Sequence, residues 1–321
     1  MNITVIGCGR WGSLITWYLD HIGHRVTLYG RAASPRMQAF LTTRQNDLLT
    51  LPESVALSTA LDAALESAET VIISIGSQSL RSLLGQSELQ ALRSRTVVLC
   101  MKGLEMGTGA RLSQIAAELL HPSNTVAVWL GPGHVQEFYR GIPNCMVIDS
   151  ENEDVKRRLV QAFSSDLIRF YYGGDIIGNE VGAAAKNVVG IAAGFLDGFE
   201  MSSLKGALMS RGTREVARLI KAMGGSELSA YGLCHLGDYE ATVFSPYSHN
   251  RQFGESFVRG QDYHQLAEGY YTVKALMLLG QRYGVELPIC KAVHDILYEQ
   301  AVPRDVLAGL LRRGLTEEFY D

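Results

Sequence analysis

Residues 7–12 read Gly7-Cys8-Gly9-Arg10-Trp11-Gly12, a G-x-G-x-x-G run directly after the β-branched stretch 3–6 and opening an amphipathic stretch 11–22. A glycine triplet so spaced between a strand and a helix constrains the fold more than any other feature of this chain. Gly7 permits the tight turn, and Gly9 lets a pyrophosphate approach the backbone. Gly12 lets the helix pack on the strand, with the helix N-terminus facing the phosphates. The alternative is a glycine-rich turn without a ligand. The strand, the helix and the N-terminal position favour the dinucleotide.

Further apolar runs at 26–29, 71–75, 96–100, 126–130, 146–148 and 168–172 alternate with helical stretches near 60–68, 78–92, 110–120 and 153–164. Continuous apolar strands alternating with helices imply a mostly parallel sheet covered on both faces. Beyond Gly173-Gly174 the pattern changes to helices at 179–196, 203–223, 265–283, 289–300 and 303–312, with no convincing strand. The expected fold class is α/β: a Rossmann-like doubly wound parallel sheet in a dinucleotide-binding domain, 1–175. An all-α substrate and catalytic domain, 176–321, follows it.

Composition removes several classes. A chain of 321 residues with 47 % apolar and 19 % charged residues suits two globular domains. A formal net charge of −4, without a Lys/Arg block, offers nothing for nucleic acid or a membrane surface. The five cysteines form no Cys-x-x-Cys pair and the eight histidines show no ligand spacing, so no metal site is expected and a reducing compartment is. The chain enters a strand at once and has no uncharged apolar run of membrane-spanning length. It reads as a soluble, cytoplasmic protein.

Chemistry gathers elsewhere. From Glu180 to Gly194 small and apolar residues run almost unbroken around Lys186 and Asn187, and helical spacing puts Gly182, Lys186 and Gly190 on one face. A lysine there must snorkel, pair with an acid or meet a bound polar group. The glycines imply close approach of either a ligand or a neighbouring helix. Lys102 and Gly131 follow strands, where open parallel sheets bind ligands, although a loop lysine is ordinarily solvated. Asn250 and Arg251 suit an anionic, hydroxylated ligand. Asp238 is either an ion-pair partner for a helix lysine or a loop or N-cap residue. Where an NAD site carries an acid, after the second strand, this chain has Tyr29-Gly30-Arg31, and Arg31 suits a 2′-phosphate. NADPH is therefore the expected cofactor, with NAD also accepted.

With these residues assembled, the chain resembles the bacterial NAD(P)-dependent glycerol-3-phosphate dehydrogenases nearly end to end. The resemblance rests on Gly7-x-Gly9-x-x-Gly12, Lys102-Gly-Leu-Glu105, Gly131-Pro132 with Glu137, and Gly182-Ala-Ala-Ala-Lys186-Asn187-Val-Val-Gly-Ile-Ala-Ala-Gly194. It rests equally on Leu208-Met-Ser-Arg211-Gly212, Gly237-Asp238, Asn250-Arg251 and Glu268-Gly269. It implies reversible reduction of dihydroxyacetone phosphate to sn-glycerol 3-phosphate, a supply step for phospholipid backbones, in a homodimer. It further implies Lys186 as the catalytic proton donor and acceptor, with Lys102 touching cofactor and substrate and Asp238 beside the lysine. Arg10, Trp11, Val135, His249 and Glu268 would join the glycines and Arg31 at the cofactor. Gly131, Ser248, His249, Asn250 and Arg251 would join Lys102, Lys186 and Asp238 at the substrate.

Two positions depart from the family pattern. Ser248-His249-Asn250-Arg251 stands where Ser-Arg-Asn-Arg is usual, and Gly131-Pro132-Gly133 where a serine or threonine usually ends the triplet. Both bear on substrate affinity. They keep open a reductase of another small phosphorylated carbonyl, and a nucleotide-binding regulatory protein without turnover remains a third alternative.

Overall fold

Strands of four to six apolar residues hold together only when both faces are covered, and this requirement shapes the first part of the chain. In a computed structural model of the protein, which describes residues 1–312 and 318, the chain forms two compact units. The first comprises Met1–Met101 and Leu112–Ile176; the second comprises Lys102–Arg111 and Ile177–Asp321. The division differs from a single cut after residue 175 in one respect. The segment Lys102–Arg111 leaves the sheet of the first unit and packs with the second.

The first unit holds one eight-stranded sheet of β1 (Asn2–Ile6), β2 (Arg25–Tyr29), β3 (Ala56–Ser58), β4 (Thr70–Ile73), β5 (Thr96–Leu99), β6 (Thr125–Leu130), β7 (Asn144–Asp149) and β8 (Ile168–Tyr172). The order is β3-β2-β1-β4-β5-β6-β7-β8. Every pairing is parallel except β6 with β7, where Trp129 faces Ile148. The short strand β3 and the antiparallel step go beyond the sequence reading, as do helices at Pro35–Thr43 and Val135–Tyr139. The strand order reverses between β1 and β4, where Ile3 pairs with Thr70 and Ile6 with Ile73. Ligands bind at such a reversal, beyond the strands' carboxyl ends. Gly7 follows β1 and Ser74 follows β4 there.

The second unit is helical among its described residues. Its axis is the 23-residue helix Ile176–Gly198, buried from Gly178 to Leu196. A helix apolar on all sides has to be surrounded. Val181, Ala184, Val188, Ile191 and Phe195 pack with Val216, Leu219 and Ile220 of helix Lys205–Ala222, Val273 and Leu276 of helix Glu268–Tyr283, and Val293 of helix Pro288–Tyr298. The segment 249–258, polar and glycine-containing, is a helix the sequence reading passed over. Between the long helices lie tight turns at Leu236–Asp238 and Glu240–Phe244, the second π-wound.

Candidate active site

Asp238 organises the second unit's polar centre. The residue is fully buried, and its Oδ2 lies 2.7 Å from Lys186 Nζ and 2.7 Å from Lys102 Nζ. Lys186 also donates to Thr242 Oγ1 at 2.7 Å, and that hydroxyl donates to the Asp238 carbonyl at 2.7 Å. One carboxylate thus serves two ammonium groups, leaving a net positive centre. Asp238 Oδ1 is buried and has no hydrogen-bond partner among the described residues, and a buried acceptor in that state calls for a donor.

Burial pushes the Lys186 ammonium down to about 8 from its usual 10.5. Asp238 opposes that shift, and the neighbouring Lys102 reinforces it. The lysine thus exchanges its proton near working pH, as an acid-base catalyst must.

Neighbouring side chains fix the frame. Asn187 donates to the Lys102 carbonyl at 2.8 Å and accepts at Oδ1 from Asn250 at 3.0 Å, while Asn250 Oδ1 accepts from the Gly269 N–H at 2.9 Å. Arg111, at the far end of the 102–111 segment, forms a buried 2.6 Å pair with Glu180 on the lysine helix. The segment is therefore clamped at both ends to that helix.

The glycines of the lysine helix are filled by protein. A Cβ on Gly182 would sit 2.9 Å from His235 Cβ, and one on Gly190 would sit 2.7 Å from Thr242 Cγ2. Of the two reasons the sequence allowed, close approach of a neighbouring segment accounts for these.

The 248–251 run divides by partner. Ser248 caps the helix His249–Val258 by accepting from Arg251 N. His249 Nδ1 lies 2.7 Å from the Tyr263 hydroxyl. Arg251 was expected to offer its fork to an anion. Instead its Nη1 meets Asp197 at 2.8 Å and Glu255 at 2.9 Å, and its Nε donates to the Ser245 carbonyl. Those partners make it a tie within the unit. Glu268 is half-buried at the start of its helix.

In the first unit, Gly7 has φ +116° and Gly12 packs on its carbonyl, so a Cβ on Gly12 would fall 1.8 Å from Gly7 O. Gly9 differs. A Cβ there would meet only Arg36 Nη1, at 3.7 Å, and the helix Arg10–His21 begins at Gly9 without a side-chain cap. An uncapped helix start behind an open glycine fits a pyrophosphate. Arg31 is exposed just past β2. Arg36, which the sequence reading did not single out, reaches the loop from the start of helix Pro35–Thr43. Trp11 stands edge-on to Phe138, with ring centroids 6.1 Å apart. Gly131 takes φ +130° against Met146, while Val135 is buried in the unit's core. Gly133, at φ +136°, lies under the Phe138 ring, where a Cβ would come within 2.3 Å. A serine or threonine has no room at this position.

Comparison with known proteins gives the family. Residues 2–156 match the model of the NAD-dependent glycerol-3-phosphate dehydrogenase N-terminus, and residues 175–308 that of its C-terminus. The chain belongs to this family. A glycerol-3-phosphate dehydrogenase (NAD(P)+) of Thermoanaerobacter sp. strain X514 is 32% identical over 331 residues, covering 100% of this chain and 99% of that protein. One from Nitrosomonas europaea is 35% identical over 325 residues, covering 98% of each. Among solved structures, the Coxiella burnetii glycerol-3-phosphate dehydrogenase superposes with a TM-score of 0.89 at 27% identity, over 97% of this chain and 99% of that one. A ketopantoate reductase from Ralstonia eutropha shares the fold alone, with a TM-score of 0.63 at 14% identity. Among the described residues, no helix is long and apolar enough to cross a membrane, and no cluster of His, Cys, Asp and Glu could hold a metal.

Proposed function

We infer that the chain is an NAD(P)-dependent oxidoreductase acting on a CH–OH group, reversibly reducing dihydroxyacetone phosphate to sn-glycerol 3-phosphate for phospholipid synthesis. The observation that carries this reading is the buried Lys102–Asp238–Lys186 centre in a chain of this family. Bound NAD(P)H supplies the hydride. Gly7, Gly9, Arg10, Trp11 and Gly12 hold its pyrophosphate side, and Arg31, with Arg36 beside the loop, meets a 2′-phosphate, which makes NADPH the preferred form. Lys102, Val135, His249 and Glu268 are the further cofactor contacts we assign.

As the substrate carbonyl gains electrons, negative charge grows on its oxygen. The Lys186 ammonium stabilises that charge and gives up its proton, and in oxidation the neutral amine takes the proton back. Lys102 adds the second positive charge. Asp238 Oδ2 keeps both ammonium groups in place, and its unpaired Oδ1 accepts from the substrate hydroxyl beside the carbonyl. Asn250, His249 and Ser248 meet the phosphate end, and Gly131 is the substrate contact we assign in the first unit. Arg251 acts there through its ties to Asp197 and Glu255. The enzyme works in the cytoplasm as a homodimer, a reading supported by resemblance to the family. A monomeric mass in light scattering would remove the second part.

Mixing the protein with NADPH and dihydroxyacetone phosphate should consume the reduced cofactor's absorbance. Lys186→Ala should lower kcat by roughly 10²–10⁴-fold while NADPH still binds. Retention of most of the rate would refute the assignment of Lys186. The analogue lacking the hydroxyl beside the carbonyl leaves Asp238 Oδ1 unanswered and should lose about 10–100-fold in kcat/KM. Equal turnover of both compounds would remove that contact. Turnover of a different phosphorylated carbonyl in place of dihydroxyacetone phosphate would favour the second reading, whose ground is the His249–Tyr263 pair in the phosphate-facing run.

A further inference from the structure

Three residues of the lysine helix, Gly182, Lys186 and Gly190, face three residues of the winding segment 235–242. His235 lies on Gly182, Asp238 on Lys186 and Thr242 on Gly190. The two outer contacts straddle the ion pair. At one end Thr242 binds both Lys186 Nζ and the Asp238 carbonyl. At the other end stands His235, fully buried, which the chemistry above does not use. Its Nδ1 lies 2.8 Å from the Gly182 carbonyl and its Nε2 lies 2.7 Å from the Tyr239 hydroxyl.

The proton positions follow from the partners. A carbonyl only accepts, so Nδ1 carries the hydrogen and donates to Gly182 O, and Nε2 therefore accepts from the Tyr239 O–H. Burial holds the imidazole neutral, down to about 4 from its usual 6.5, with Lys186 acting in the same direction and the Gly182 hydrogen bond and Asp238 against it. Burial, with Cys290 and Glu215 acting the same way and Thr213 against them, pushes the Tyr239 phenol far above its usual value, so it keeps its proton to donate. The chain Tyr239→His235→Gly182 is thus directional across the pH range where an enzyme works. The turn carrying Asp238 grows from it, since Asp238 N–H donates to the His235 carbonyl at 3.0 Å.

We propose that His235, oriented by Tyr239, is a positioning residue that pins the Asp238 turn to the lysine helix and so sets how tightly Lys186 holds its proton. The proposal rests on the reading of Lys186 as the proton donor. Charged groups facing Lys186 are Asp238, which favours its ammonium form, and Lys102, which disfavours it. Loosening the His235 post lets the carboxylate recede while burial and Lys102 remain, and Lys186 then gives up its proton at lower pH. A spacer that merely filled volume would leave the proton affinity alone.

The test is the pH profile of dihydroxyacetone phosphate reduction by the full chain, with thermal melting recorded beside it. The wild type should lose rate on the alkaline side as Lys186 deprotonates, and Lys186→Ala should lack that limb. A limb that persists in Lys186→Ala overturns the reading of Lys186, and the His235 proposal with it. His235→Ala should move the limb to lower pH by about half a unit or more, with the KM for NADPH unchanged. His235→Asn, which keeps a donor at the Nδ1 position, should return the limb towards wild type. Should His235→Ala fail to fold, Tyr239→Phe, which deletes one oxygen, carries the test with a smaller shift in the same direction. A limb unmoved in folded His235→Ala and Tyr239→Phe, or moved equally by His235→Ala and His235→Asn, would overturn the positioning role alone.

Discussion

The chain uses glycine at two places that look alike in the sequence and differ in what the absent side chain admits. In the nucleotide loop, Gly7 and Gly12 are closed by backbone, whereas Gly9 is open, with Arg36 Nη1 the nearest atom to an added Cβ at 3.7 Å. On the lysine helix no such opening exists at the two positions flanking Lys186, since His235 fills the notch at Gly182 and Thr242 the one at Gly190. The loop makes room for a ligand at a single residue. The helix makes room for its own partner segment, and that segment brings Asp238 to Lys186. A glycine next to a buried lysine is therefore no guide to where a ligand sits. What lies opposite it decides.

Alanine scanning of three of these glycines would break or sharpen the contrast. Gly12→Ala should be the most severe, because its Cβ would meet Gly7 O at 1.8 Å inside a loop with no slack. A loss of about 3 kcal/mol or more in chemical denaturation is expected. Gly190→Ala comes next. Its Cβ would press on Thr242 Cγ2 at 2.7 Å and Asn250 Cβ at 3.3 Å. Overpacking of roughly 1–3 kcal/mol is partly offset by about 1 kcal/mol of better helix propensity. The rate should fall because Thr242 is pushed off Lys186. Gly9→Ala should leave the melting temperature nearly unchanged yet weaken NADPH binding by about tenfold or more, read by calorimetry. An unstable Gly9→Ala, or a Gly190→Ala with full stability and rate, would dissolve the distinction.

Much of this was legible in the sequence because it is local. The loop motif needs only six consecutive residues and the strand and helix beside them, and the apolar runs at 71–75 and 126–130 announce buried strands by composition alone. The parts that were missed lack such a signature. β3 is three residues long with no buried member, helix Pro35–Thr43 buries only Met37 and Phe40, and helix His249–Val258 buries only Gly254. The antiparallel β6–β7 pairing depends on how the chain returns, which periodicity does not encode. Within the candidate site, the types of Lys102, Lys186 and Asp238 stood out, but their meeting joins segments 136 residues apart. Thr242 and His235 had a faint signal in their spacing of four and three residues from Asp238, one helical turn to either side as Gly190 and Gly182 are from Lys186. Nothing in the sequence said that the two stripes face each other. Arg251 shows the same limit from the other side. Its type suits an anion, but Asp197 and Glu255 reach it first.

The smallest expected effect concerns the choice between the two cofactors, where the loop end of the comparison can be tested without disturbing the fold. Gly30 is forced to be small, since a Cβ there would lie 2.9 Å from both Cys8 Sγ and Met37 Sδ. The first side chain that can leave β2 towards solvent is therefore Arg31, which is exposed and stands where an acid would hold a ribose hydroxyl. Arg36 is exposed as well and lies nearer Gly9. A guanidinium contributes to a phosphate and little to a neutral hydroxyl. Arg31→Ala should then weaken NADPH about tenfold, roughly 1.4 kcal/mol, and leave NADH unchanged. Raising the salt concentration should shrink the difference, as it does for any exposed ion pair. If Arg36→Ala produces that loss and Arg31→Ala does not, the discriminating charge belongs to the helix after β2. Equal affinities for both cofactors in the wild type would mean that neither arginine reads the 2′-phosphate, and that the absence of an acid after β2 is mere tolerance.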